Sequence, residues 1–289
     1  KSFGATRCRA DSSAATAVLY DTTSISDSGK VDCQRLAVVA TVTAATITYG
    51  ITLQNSLWWK GERSPFYFNF ERDWKYALGA DKFGHFFFPY LVAGEYSQLL
   101  EWCAIDTVDA LWYAAALGLA HQTFVEVRDG FSKDMGGGYL GFSWADMGAN
   151  IAGAVFPLVQ QKSKLLQSVM LKISYYPSDA FQRGTHAAII DDYESTYHWL
   201  SFSPAIFLPG TLARQYPPWL NLALGHSVKN LDGNGGGNHE IFLSVDWNLA
   251  AISVEGSFWK TLIRTLGYYH FPAPAVRLYP SVVWYGLKF

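Results

Sequence analysis

The feature that most constrains this chain is a change of period near residue 168. Before it, apolar residues recur in long stretches with helical spacing and little charge. After it, Leu171, Ile173 and Tyr175 alternate with Lys172 and Ser174. Leu220, Leu222 and Leu224 alternate with Asn221, Ala223 and Gly225, and Ile241 to Leu249 alternate in the same way. Helices first and strands second predict an α+β chain. The expected fold is an N-terminal bundle of about four apolar helices followed by an antiparallel β-sheet of about five or six strands, or a partial barrel. Three segments follow: a flexible arm over 1–34, an apolar helical domain over 35–168 and an antiparallel β-rich domain over 169–289.

Within the helical part, Leu36 to Leu53 carries no charge. As a helix it would span roughly 27 Å, close to a hydrocarbon core of about 30 Å. Thr41, Thr43, Thr46, Thr48 and Thr52 dilute its hydrophobicity. A membrane helix and a buried bundle helix are therefore both open. Trp58, Trp59 and Lys60 follow it, residue types that collect at membrane–water interfaces. Further helices are expected over about 82–102, 106–128 and 143–168. Asp106 or Thr107 and Ser143 serve as N-caps, Asp146 holds the capping-box position and Pro157 marks a kink. A short helix is expected over 258–266. The glycine runs at 136–138 and 235–237 read as loops.

Each strand shows one apolar and one small or polar face. Transmembrane barrel strands look like this, and so does any half-buried antiparallel sheet. Bacterial barrels need at least about eight strands, so a sheet packed on helices is the expectation. The ending Trp284, Tyr285, Leu287, Phe289 looks like the C-terminal signature of outer-membrane strands. Charged residues make up 16% of the chain, against roughly 25% in soluble domains. A net charge of −2 leaves no basic footprint for nucleic acid. Cys8, Cys33 and Cys103 form no C-x-x-C pair. A Cys8–Cys33 disulfide and three free thiols are both open. No signal peptide is visible at the start, and the surroundings of Cys8 lack the apolar run of a lipidation signal.

The polar residues of the helical part are few and grouped: Asp81, Lys82 and His85; Glu126 and Asp129; Asp146 and Asn150. Asp81 and His85, Glu126 and Asp129, and Asp146 and Asn150 are three or four apart, which puts each pair on one helix face. Buried polar groups cost several kcal/mol each unless they are paired, so these seven are expected to form a structural polar network. His85, Glu126 and Asp129 are candidate metal ligands. His85, Glu126, Asp129 and Asp146 are candidates for acid–base catalysis, with His85 the group that titrates near neutrality. No cofactor is strongly implied. H-E-x-x-H, P-loop and G-x-S-x-G motifs are absent, and Asp134 stands where an EF-hand needs glycine. Asp191, Asp192 and Glu194 read as a solvated loop. His186, His198, His226, His239 and His270 read as surface or strand histidines, and Trp199, Trp219, Trp247 and Trp284 as sheet packing or an interface belt.

Taken in order, Asp81-Lys82-x-Gly84-His85, Glu126-x-x-Asp129-Gly130-Phe131 and Gly141-Phe142-Ser143-x-x-Asp146-x-x-x-Asn150-x-x-Gly153 form a set. It resembles the YfiM-like family of predicted envelope lipoproteins, a domain of unknown function. Tyr175-x-Pro177-Ser178, Asp192-Tyr193-x-x-x-Tyr197-x-Trp199-Leu200-Ser201 and Pro218-Trp219-Leu220-Asn221 look like the longer members. The helical part is also similar, more faintly, to VanZ-type membrane proteins. The resemblance implies a bacterial envelope location, at the outer membrane or its periplasmic face, and no established reaction. The expected role is structural or in assembly, as a subunit of a larger membrane complex, with membrane lipid and other envelope proteins as partners. The rival is an envelope enzyme acting on lipid or cell-wall material through the His85 cluster.

Overall fold

The computed structural model describes residues 30–70, 72–133, 140–184 and 189–289. The arm over 1–29, the glycines at 136–138, His186 and the pairing of Cys8 lie outside them. Four long helices come first: α1 (Cys33–Leu57), α2 (Asp81–Trp102), α3 (Thr107–Gly130) and α4 (Trp144–Gln160). Short turns at Lys164–Gln167, Asp179–Gln182 and Gly210–Gln215, and a ten-residue helix α5 (Ser257–Leu266), add to them. The chain is thus mixed α+β, with more helical pieces than the expected four. Side-chain caps set three of the long helices. Asp32 accepts from the Gln34 and Arg35 amides, Asp106 from Val108 and Ser143 from Asp146. The last long helix ends at Gln160, short of the expected 168, because Ser163 caps a separate turn.

Helices α2, α3 and α4 pack together over a thin apolar core of Ala93, Leu111, Ala115, Ala154 and Leu158. Their interface also buries Asp81, Lys82, Gln122, Glu126, Asp146 and Asn150, so the bundle is not apolar inside. The close approach of α2 and α4 depends on Gly153. A Cβ there would lie 2.0 Å from the Phe86 carbonyl oxygen.

Helix α1 corrects one expectation. Of its 25 residues only Val39 is buried, so it is not a buried bundle helix. It lies along the bundle, tied at one end by Arg35 to the Trp102 carbonyl and at the other by Trp58 and Trp59. The hydroxyls of Thr41, Thr43, Thr46, Thr48 and Thr52 all donate to carbonyls one turn back, at 2.7 to 2.9 Å. The threonines that dilute the sequence hydrophobicity therefore present no unsatisfied hydrogen-bonding group.

The six strands are β1 (Val169–Tyr175), β2 (Thr196–Phe202), β3 (Leu220–Lys229), β4 (Asn238–Trp247), β5 (Ala273–Tyr279) and β6 (Val283–Lys288). They form an antiparallel meander in chain order. The sheet is not closed into a barrel. No β1–β6 pairing closes it among the described residues, and the outer edge of β1 instead bridges Tyr269. It is nevertheless curled, since Lys288 on β6 sits 3.7 Å from the centre of the Tyr197 ring on β2.

The inner face of this curl buries Lys172, Ser174, Tyr197, Trp199, Ser201, Asn221, Ala223, Glu240, Phe242, Ser244 and Asp246. The outer face carries the leucines. Over β1 to β3 it meets α2. Leu171 and Ile173 pack against the cluster of Phe87, Tyr90 and Tyr268, and Phe83 stacks on both His198 and His226. Elsewhere Leu200, Trp219, Leu224, Leu243, Leu278, Trp284 and Leu287 are exposed.

Candidate functional site

Three helix ends meet at one end of the bundle: the start of α2, the end of α3 and the start of α4. A strap over 58–70 and 72–80 covers them. It pairs through Arg63 with Ser132 and through Phe68 with Phe142. Phe66, Phe68, Phe131, Phe142 and Trp144 form a cluster of rings there. Ala77 and Leu78 both take left-handed backbone angles, which non-glycine residues adopt at a cost of order 1–3 kcal/mol each. That turn brings Asp73 back onto Lys82.

Lys82 is the hub. Its ammonium lies 2.5 Å from Asp73, 3.0 Å from Asp81 and 2.7 Å from Asp146 Oδ1. Burial works against its charge, but the carboxylates of Asp81 and Asp146 outweigh burial and hold it protonated above the usual lysine range. Ser143 ties the same knot from α4. Its hydroxyl donates to Asp73 at 2.7 Å, and its backbone N–H donates to Glu126 Oε2 at 3.1 Å. His85 Nδ1 lies 3.2 Å from Asn150 Oδ1 and 3.5 Å from Glu126 Oε1, and Nε2 lies 3.8 Å from Asp146 Oδ2. The His85 side chain is 20% exposed and is the open side of an otherwise buried group.

The electrostatics follow from charge crowding. Asp73, Asp81, Glu126 and Asp146 are all buried around one buried ammonium. Burial, reinforced by Asp146, pushes Glu126 up to about 9. Burial and Asp146 push Asp81 up to about 7 against the pull of Lys82. Burial also raises Asp129 to about 7, although its bond from the Trp59 indole at 2.5 Å opposes the rise. Burial lowers His85, partly offset by Asp146.

The structure therefore brings Asp81, Lys82, His85, Glu126, Asp146 and Asn150 together. Asp129 is turned to Trp59, at the edge of the group. One donor atom from each of His85, Glu126 and Asp146 lies within 4.8 Å of the other two. Asp146, rather than Asp129, completes the set that faces His85. Asp73 and Ser143 were not counted in the cluster from sequence. The acid just upstream of Asp81-Lys82 and the capping serine beside Asp146 were the available signals.

Residues 69–162 match the family model described as predicted periplasmic lipoprotein (DUF2279). The matched segment covers about a third of the chain and holds every residue of the cluster. This supports envelope association on the periplasmic side, as the resemblance implied. The likeness to VanZ-type proteins finds no support. No curated protein and no solved structure matches the chain.

Two further polar sets stand outside the family segment. Asp246 is fully buried in the sheet, 2.7 Å from Lys172 and 2.9 Å from His270 Nδ1, and it accepts from Ser201. Burial raises Asp246, but His270 and Lys172 outweigh it and hold its carboxyl below the usual range. His270 is not a surface histidine: it has no exposure and stacks on Trp199 at 3.9 Å. Ser244 lies 3.4 Å from His270 Nε2, an order that resembles a nucleophile triad. Its hydroxyl faces the backbone carbonyls of Val245 and Pro274, and all three side chains are buried. The set holds the curl together rather than offering a nucleophile to solvent.

The acidic group Asp191, Asp192 and Glu194 is also not a solvated loop. The Trp58 indole donates to both oxygens of Asp191. Asp192 is 1% exposed and accepts from Tyr175, Ser178 and Ser195. Glu194 accepts from the Leu231 amide. Asp191 fastens the end of α1 to this loop, and Asp192 ties the loop to Tyr175 of β1.

Proposed function

We propose that this chain is an envelope protein held in the outer membrane, with a structural or assembly role. The observation that carries the reading is α1: 25 residues long, apolar, and left uncovered by the rest of the protein. At 1.5 Å per residue it is roughly 37 Å long, enough to cross a hydrocarbon core of about 30 Å. Arg35 with Trp102 at one end, and Trp58 with Trp59 at the other, supply interface anchors. The uncovered leucines and tryptophans on the outer face of the sheet form a second apolar surface that rests on lipid.

The test is fractionation of membranes followed by an alkaline carbonate wash. Wild type is expected to remain with outer-membrane markers through the wash. Val42→Asp combined with Thr46→Asp, both at exposed positions of α1, adds roughly 2.5–3.5 kcal/mol per charge at a helix centre and is expected to release the protein. Release of wild type, or full retention of the double variant, refutes the reading. A second reading, an enzyme acting on lipid or cell-wall material, is favoured by the partly open His85 side of the cluster. Normal folding and retention of His85→Ala and Asp146→Asn, with loss of an envelope phenotype, would select it.

A further inference from the structure

The atoms left over in the bundle-end cluster point to a ligand. Each of three side chains is oriented by a partner that occupies one of its atoms and leaves another free. Glu126 accepts the Ser143 amide on Oε2, and Asp146 meets Lys82 with Oδ1. The His85 ring is fixed by the Asn150 carbonyl oxygen. Outer partners of this kind orient metal ligands in proteins. One donor atom from each residue lies within 4.8 Å of the other two: Asp146 Oδ2 is 3.8 Å from His85 Nε2, and Glu126 Oε1 is 3.5 Å from His85 Nδ1. Four buried carboxyl groups around one buried ammonium leave this end of the bundle short of positive charge. A separate observation concerns Asn150. It is fully buried, and its amide nitrogen has no acceptor among the described residues.

We propose that His85, Glu126 and Asp146 bind a divalent first-row transition-metal cation. One imidazole with two carboxylates suits Fe²⁺ or Zn²⁺, and the two carboxylates also accept Mn²⁺. Three protein ligands with one exposed side leave a position open on the ion. A water in that position gives the orphaned Asn150 amide an acceptor. The inference does not rest on the membrane reading, since the cluster is complete in the helical part alone.

The test uses the full chain in detergent, stripped with EDTA and titrated with Mn²⁺. Free Mn²⁺ is read by electron paramagnetic resonance, and electron spin echo reports whether an imidazole nitrogen binds the ion. Wild type is expected to take up one Mn²⁺ per chain with nitrogen modulation. Glu126→Gln and Asp146→Asn are expected to weaken uptake at least about tenfold. His85→Gln is expected to abolish the modulation, and His239→Ala, at an exposed histidine, to leave it intact. Wild type alone can overturn the proposal, whatever the variants do to folding: uptake of neither Mn²⁺ nor the tighter-binding Zn²⁺, or Mn²⁺ uptake without nitrogen modulation, refutes it. Modulation that survives in His85→Gln and disappears in His239→Ala also refutes it.

Discussion

Replacing Gly153 by alanine puts a methyl group 2.0 Å from the Phe86 carbonyl oxygen and 2.8 Å from its carbon. Both are backbone atoms, so no rotamer change can relieve the collision. Restoring an ordinary 3.4 Å contact requires α4 to retreat from α2 by about 1.4 Å. Gly148 lies five residues earlier on the same helix, is exposed, and has nothing within 4 Å of an added Cβ. Both substitutions gain the same helix propensity, up to about 1 kcal/mol. The difference between the two variants therefore isolates the steric cost, about 1–3 kcal/mol for overpacking. Gly148→Ala is expected to melt at or slightly above wild type and Gly153→Ala below it. The assay is thermal or denaturant unfolding in detergent, followed by circular dichroism. The retreat also carries Asn150 away from His85, whose contact is 3.2 Å. Gly153→Ala should thus weaken Mn²⁺ uptake, and Gly148→Ala should not. Equal stability of the two variants would refute the close approach of α2 and α4.

The remaining predictions concern charge. Glu126, raised to about 9, and Asp81, raised to about 7, take up protons on folding. Their contribution is fully present below about pH 4, where free carboxyls are protonated. It is lost as pH rises through 7 and 9, at roughly 1.4 kcal/mol per pH unit for each proton. Melting temperature without divalent ion is therefore expected to fall from pH 5 to 9, and Glu126→Gln to flatten the fall; a rising profile counts against the buried protons. Asp246→Asn leaves Lys172 buried beside an uncharged partner. Its expected cost is about 3–5 kcal/mol, and an unchanged unfolding midpoint would contradict that pairing. Trp59→Phe removes the indole N–H from Asp129. A loss of about 1–3 kcal/mol is expected for the orphaned carboxyl, read by the same unfolding assay.

Much of this was legible because local chemistry decided it. The change of period near 168 falls where β1 begins, at Val169. Expected helices over 82–102 and 106–128 differ by a residue or two from Asp81–Trp102 and Thr107–Gly130. The spacing within each polar group also placed Asp81 with His85, and Asp146 with Asn150, on faces that meet. What sequence did not carry was direction. Alternation in β1, β3 and β4 reveals two faces, but not which one is inside. Here the leucines point out, while Lys172, Ser201 and Asp246 point in. Partners distant in sequence were equally hidden. Trp58 meets Asp191 and Trp59 meets Asp129 across long separations. Nothing near Asp191 announces that a tryptophan will cover it, so its loop reads as solvated. Strand β5, short and broken by Pro274, carries too weak an alternation to be read from its own residues.

The inverted polarity has a consequence for heat. Unfolding an ordinary domain raises heat capacity because buried apolar surface becomes wetted, whereas newly wetted polar surface lowers it. In this chain the wetted interior would include Lys172, Asp246, His270, Glu126, Asn150 and many serines beside apolar groups such as Trp199, Tyr90, Phe242 and Leu111. Much of the leucine and tryptophan surface already faces outward. The polar contribution then offsets part of the apolar one, and the heat-capacity increment per residue is expected below the usual ~12–15 cal/mol/K. A small increment flattens the stability curve, so its strength varies little between cold and warm surroundings.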